Sequence, residues 1–223
     1  MRVAILRFPG TNCEFDTKYA FDKLGCDSII VWHGEEKLPQ DIDLVVVPGG
    51  FSYGDYLRSG SIARFANIMK DVTRYANSGG KVLGICNGFQ ILTEAGLLPG
   101  ALKRNINLHF KSKYQYLRVE NNNNTFLNKC SIGEILHIPI AHADGNYYID
   151  DKGLEKLEAN GQILLRYVDK EGKVDSINGS VEAIAGICNK TKNIFGLMPH
   201  PERAIESLLG SDDGVKMLQG FTS

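Results

Sequence analysis

The sequence lacks a Gly-x-x-x-x-Gly-Lys-Ser/Thr run, so a phosphate-cradling loop of that type is not expected. The nearest stretch, Gly210 to Lys216, has the wrong spacing and reads as a loop before a helix. An excess of one charge is also missing. The 25 Lys and Arg residues stand against 26 Asp and Glu, for a formal net charge of -1. That excludes the basic field a nucleic-acid partner would need. No apolar run approaches the ~20 residues that cross a bilayer, so no membrane contact is expected. Cys13, Cys26, Cys86, Cys130 and Cys188 are odd in number and show no Cys-x-x-Cys spacing, which argues against a disulfide framework. A reducing, cytoplasmic compartment is expected, and Met1-Arg2 leads straight into a strand-like run with no signal-peptide pattern. His109, His137 and His142 have no other donors at metal-ligand spacing, so no metal site is expected.

What is present is an alternation of short apolar runs and helical patterns. Hydrophobic residues make up 43% and charged residues 23% of the 223 positions, the balance of a globular protein with a sizeable core. Val3 to Leu6, Ile29 to Trp32 and Leu44 to Val47 read as buried parallel strands, and an apolar β-like run within Lys81 to Gln90 ends in Gly84-x-Cys86-x-Gly88. A helix capped by Thr11-Asn12 is expected to run to about Leu24 and stop at Gly25. A second one carries Ile62, Phe65, Ala66, Met69, Val72 and Ala76 on one face. Phe51 to Gly60 has no clear period and reads as a loop. After Gly100 the β-like runs Tyr116 to Val119, Ile135 to Ile138, Ile163 to Val168 and Val181 to Cys188 follow with little helix between them. Ile194 to Met198 reads as a last strand, followed by a helical stretch to about Leu209 and a weaker one from Asp213 to Gln219. The expectation is an α/β fold: a flavodoxin-like, open, mainly parallel sheet with helices on both faces and added antiparallel strands in the C-terminal half. No linker, repeat or charge block divides the chain, so one domain over residues 1–223 is expected.

The stretch Gly84-Ile85-Cys86-Asn87-Gly88-Phe89-Gln90 ends a strand and opens a helix. It has the form of a nucleophile elbow with a thiol at its apex. Such a turn strains its central residue and needs small neighbours, which Gly84 and Gly88 supply. The helix N-terminus favours a thiolate, and the Asn87 amide points to where an oxyanion would form. The side chain is expected to stand exposed above the sheet. An isolated cysteine is more often a small apolar filler. Here the glycines, the strand before and the helix after weigh against that reading. A partner also lies far downstream. His200 sits between Pro199 and Pro201 just past a strand, with Glu202 two residues on. The prolines fix where the imidazole points, and a carboxylate behind it sets the tautomer. Cys86, His200 and Glu202 make a nucleophile, base and orienter set.

Pro48-Gly49-Gly50, the cysteine elbow and Met198-Pro199-His200-Pro201-Glu202 occur in the order that marks the class I, triad-type glutamine amidotransferases. The chain resembles that family from end to end. Phe8-Pro9-Gly10-Thr11-Asn12-Cys13 and Pro48 to Gly60 resemble its purine-pathway branch most. The resemblance implies an enzyme that hydrolyses L-glutamine to glutamate and ammonia through a thioester on Cys86. Gly50 and Asn87 would hold the oxyanion, and Gln90, one helical turn past Cys86, would bind the substrate. From spacing alone, Gln90 fits a polar surface position nearly as well. The resemblance implies no cofactor in this chain. ATP and Mg would belong to a synthetase subunit that turns formylglycinamide ribonucleotide into formylglycinamidine ribonucleotide, with a small accessory subunit beside it. Two stretches depart from that branch. His142-Ala143-Asp144-Gly145-Asn146 stands where a His-Gly-Glu-Gly-Arg-like run is usual, and Ser112-Lys113 where a Cys-Arg pair is usual. Three other readings stay open: a glutaminase of another pathway such as pyridoxal phosphate synthesis, a γ-glutamyl peptidase, and a non-enzymatic flavodoxin-like redox or stress protein.

Overall fold

Leu44–Val47 is four consecutive apolar residues, all fully buried, so both faces of this strand are covered. It sits inside a nine-stranded sheet. A computed structural model describes residues 1–222 of the chain. In chain order the elements of these residues are β1 (Arg2–Arg7), α1 (Glu14–Lys23), β2 (Asp27–Trp32), β3 (Leu44–Val47), α2 (Asn67–Asn77), β4 (Lys81–Ile85) and α3 (Asn87–Glu94). Then come β5 (Ala101–Lys103), β6 (Lys111–Val119), β7 (Ile135–His142), β8 (Asn146–Tyr148), α4 (Asp151–Ala159), β9 (Ile163–Val168), β10 (Ile184–Cys188), β11 (Ile194–Leu197) and α5 (Asp213–Thr222). No helix among the described residues is long and apolar enough to cross a membrane.

The sheet order is β2-β1-β3-β4-β11-β10-β9-β6-β7. Pairing is parallel from β2 to β11 and antiparallel from β11 to β7. The first four strands follow the 2-1-3-4 order of doubly wound sheets, which put their sites at the carboxyl ends of the strands. The antiparallel strands continue the same sheet, and β5 and β8 form a separate two-stranded one. The step that matters for function is β11, the last strand in sequence, placed directly against β4. Leu197 pairs with Ile85, so the segments after both strands leave the sheet at the same end.

Four local expectations are corrected. Thr11-Asn12 does not cap α1; Cys13 is the N-cap, without a side-chain cap bond. Thr11 is committed to a tight turn instead, its Oγ1 accepting the Phe8 N–H at 3.0 Å. The helix expected from Ile62 is broken: Ala66 is extended (φ -59°, ψ 146°), so α2 starts at Asn67. Phe65 leaves the buried face and lies under the Arg64 guanidinium, 4.4 Å from its ring centre. The stretch to Leu209 holds only the 3₁₀ turns Pro201–Arg203 and Ser207–Leu209, because the Ala204 carbonyl accepts the Gly214 N–H at the start of α5. α4 is an addition to the expected elements. Asp150 caps it by accepting the Gly153 N–H at 2.8 Å, but Leu157 is its one fully buried residue, so its periodic signal is weak.

Candidate active site

β4 ends at Ile85, and Cys86 takes φ 50°, ψ -106° before α3 begins at Asn87. A positive φ in a residue other than glycine costs of order 1–3 kcal/mol and persists where the surrounding structure holds it. The turn is possible only because its neighbours lack side chains. A Cβ on Gly84 would lie 2.6 Å from Leu92 Cδ1, and one on Gly88 would fall on the Val47 carbonyl oxygen. Cys86 is 6% exposed, so the expectation of a thiol standing free above the sheet is corrected. Its Sγ lies 3.6 Å from the Ala141 carbonyl oxygen. It forms part of the wall of a cavity of about 250 Å³. Asn12, Cys13, Gly50, Phe51, His200 and Arg203 line it as well, with Phe110, Ser112 and Ala141 on the β6–β7 side.

His200 reaches the same cavity from the end of β11. The Cys86 N–H donates to the Leu197 carbonyl at 2.8 Å, and the His200 N–H donates to the Pro139 carbonyl at 2.8 Å. These bonds fix both backbones to neighbouring strands. Nδ1 of His200 is 2.7 Å from Glu202 Oε1. A carboxylate only accepts, so Nδ1 carries the proton and Nε2 is the atom left for chemistry. Nε2 has no hydrogen-bond partner. His200 and Glu202 are each 2% exposed. Burial alone would push the imidazole down. The Glu202 carboxylate first, and then the thiols of Cys86 and Cys13, outweigh it and hold His200 well above its ordinary value. Cysteine and histidine thus sit as a facing pair with a carboxylate behind the ring.

Gly50 closes the cavity opposite the elbow. Its φ is 149°, and a Cβ there would lie 2.7 Å from Thr11 Cα. Asn87 opens α3, and the first amides of a helix have no partner within it. The Asn87 side chain is engaged elsewhere, accepting the Ser52 N–H at 3.0 Å and donating to Gln90 Oε1 at 2.8 Å. Gln90 is buried and outside the cavity lining. Its amide nitrogen donates to the Asp144 carbonyl at 2.8 Å and so ties the elbow helix to the turn after β7. The structure therefore brings Cys86, His200, Glu202 and Gly50 together, sets Asn87 at the helix start, and gives Gln90 a supporting place.

Three residues near the chemistry have no role in the sequence-based expectations. Cys13 Sγ lies 3.1 Å from Asn12 Oδ1 and 3.2 Å from Arg203 Nη2. Arg203 is anchored through Nε to Asp16 at 2.8 Å. His142 is buried, with Nδ1 3.1 Å from Asn105 Oδ1, and burial with the nearby His200 charge pushes its imidazole down to about 4. Cys13 and His142 fall inside stretches that the sequence singles out, and Arg203 directly follows Glu202, but no chemistry is assigned to any of them there. Of the two departing stretches, Ser112 lines the cavity, and Asp144 accepts from Ser59 Oγ at 2.7 Å and pairs with Arg104 Nε at 3.0 Å. Among the described residues, one group could hold a metal ion: Cys13, His200 and Glu202, with ligand atoms within 4.8 Å of one another. Spacing along the chain gives no sign of it, because Cys13 is distant in sequence from the other two.

The model of the CobB/CobQ-like glutamine amidotransferase domain matches residues 1–213. Similar curated proteins are named phosphoribosylformylglycinamidine synthase subunit PurQ. That of Sulfurimonas denitrificans is 64% identical over 221 residues, covering 99% of each chain. That of Wolinella succinogenes is 65% identical over 221 residues, again covering 99% of each. Among solved structures, a chain of PurLQS from Thermotoga maritima is 43% identical with a TM-score of 0.89, covering 99% of this chain and 97% of that one. By these matches the chain belongs to the CobB/CobQ-like glutamine amidotransferase family, in the group of the PurQ subunits.

Proposed function

We propose that Cys86, His200 and Glu202 are the catalytic residues through which this chain acts as the glutaminase subunit of phosphoribosylformylglycinamidine synthase. The enzyme class is that of its full-length relatives, which sets aside the other-pathway, peptidase and redox-protein readings. One observation carries the residue assignment: a thiol and an imidazole from the ends of two adjacent parallel strands face one cavity, with a carboxylate 2.7 Å behind the ring.

The steps follow from that geometry. The Cys86 thiolate attacks the side-chain amide carbon of L-glutamine. The N–H groups of Asn87 and Gly50 hold the oxyanion, and losing one such donor costs about 2.7–4 kcal/mol. His200 gives a proton from Nε2 to the departing nitrogen, and ammonia leaves as the thioester forms. His200 then takes a proton from water, which attacks the thioester and releases glutamate. Gln90 serves the substrate indirectly, by fixing the turn at Asp144. The chain is proposed to work as one domain in the cytoplasm. It supplies ammonia to an ATP-dependent synthetase subunit, which carries ATP and Mg, with a small accessory subunit in the assembly. The similar Thermotoga maritima chain belongs to a structure of PurLQS, which supports those partners.

The test is glutamate release by the chain mixed with its synthetase subunit. The wild type is expected to turn over glutamine and to drive amidine formation, and Cys86→Ala to do neither. Full glutamate release by Cys86→Ala would refute the assignment.

A further inference from the structure

The proposed chemistry uses one thiol, and the cavity holds two. Cys13 lies at the start of α1, 2% exposed, on the same wall as His200. What lets them meet is Gly49. A Cβ there would lie 3.0 Å from Cys13 Sγ and 2.8 Å from His200 Cε1, so the missing side chain is the space they share. One ligand atom each from Cys13, His200 and Glu202 lies within 4.8 Å of the others, and all three residues are buried. Two of the atoms on offer, His200 Nδ1 and Glu202 Oε1, already lie 2.7 Å apart, and Glu202 Oε2 has no hydrogen-bond partner.

We propose that Cys13, His200 and Glu202 form an inhibitory site for a zinc-type divalent cation, whose occupancy removes the base and its orienter from Cys86. The inhibitory part rests on the catalytic assignment made above. Sulfur, imidazole nitrogen and carboxylate oxygen are the donors zinc takes in tetrahedral sites. A tetrahedral zinc sets its sulfur and nitrogen ligands about 3.5 Å apart, inside the 4.8 Å spread of this group's ligand atoms. Magnesium and calcium want several oxygens, and this group offers one carboxylate. Binding replaces two protons with the ion, the thiol proton of Cys13 and the ring proton of His200 at the ligating nitrogen, and both leave to solvent. Arg203 opposes it, since its Nη2 lies 3.2 Å from the same sulfur. Asp16, at 2.8 Å from Nε, offsets part of that charge and holds the guanidinium while the sulfur turns to the ion. Because protons leave as the ion enters, binding is expected to tighten as pH rises.

The test has two readouts. The first is glutamine hydrolysis by the full chain with its synthetase subunit, titrated with Zn²⁺ in a phosphine reductant. Zn²⁺ is expected to inhibit the wild type. In Cys13→Ala the inhibition constant, scaled to that variant's own metal-free rate, should rise about tenfold or more. Mg²⁺ should not inhibit. The second is Co²⁺ added to the full chain alone. Sulfur-to-cobalt charge-transfer absorption should appear in the wild type and in Cys86→Ser, and vanish in Cys13→Ser. Cys13→Ser keeps the side-chain size, and a circular dichroism melt checks its fold. An inhibition constant unchanged in Cys13→Ala, or absorption that follows Cys86 rather than Cys13, overturns the site. Absorption that needs Cys13 while Zn²⁺ leaves hydrolysis untouched overturns the inhibitory role and puts the fault in the catalytic assignment.

Discussion

Gly49→Ala tests the imidazole position without touching a reacting group. The new methyl would lie 2.8 Å from His200 Cε1 and 3.0 Å from Cys13 Sγ, but 3.5 Å from Cys86 Cβ. Carbon atoms rest at about 3.5–4.0 Å, so the ring must move by at least about 0.7 Å while the cysteine stays in ordinary contact. His200 cannot yield easily, because Glu202 holds Nδ1 at 2.7 Å and the Pro139 carbonyl holds its N–H at 2.8 Å. Overpacking of this kind costs about 1–3 kcal/mol of stability. A displacement near 1 Å costs about 10²-fold in rate. The expected result is a kcat for glutamine hydrolysis about 10²-fold below wild type, with alkylation of Cys86 by iodoacetamide much less affected. Urea unfolding should show a lower midpoint with the same slope. A kcat within about threefold of wild type, in a variant that folds, would refute the placing of His200 as the base.

Glu202→Gln keeps the shape and removes the charge behind the ring, so kcat should fall about 10²- to 10⁴-fold, measured as glutamate release at saturating glutamine. The same variant tests pH linkage. Burial lowers His200, but Glu202 prevails and raises it in the folded state, so its stabilisation is fully present below the unfolded value near 6.5 and is lost as pH rises through the folded one. The stability gap between wild type and Glu202→Gln should therefore shrink on the alkaline side; urea titrations across pH measure it. His142 has the opposite sign. Held down to about 4, it takes its proton more readily unfolded, so wild type should lose roughly 3 kcal/mol between pH 6.5 and 4 that His142→Gln does not lose. Gly88→Ala would drive a Cβ onto the Val47 carbonyl, and a loss of about 3 kcal/mol or more, roughly 6–12 °C in Tm, is expected by calorimetry.

What is legible in the sequence is what lies close together along the chain. The elbow is readable because Gly84, Cys86 and Gly88 share one turn, and the fully apolar strands because Leu44 to Val47 needs no partner to look buried. His200 and Glu202 are readable as a pair for the same reason, two residues apart. Distance along the chain hides the rest. Periodicity does not say that β11 inserts beside β4, and that pairing alone carries His200 to Cys86. Gln90 suits the cavity by helical spacing, but its amide is spent on Asn87 and on Asp144, 54 residues away. Thr11 suits a helix cap by type, but the turn at Phe8 claims its hydroxyl first. Cys13 shows the limit most plainly. Its motif stretch assigns it no chemistry, and its nearness to His200 depends on the bare Cα of Gly49, a side chain missing from another segment. A motif read along the chain records which groups are available. Which of them share a cavity is decided by strand order and by where glycine leaves room, and those two facts separate a site with one thiol from a site with two.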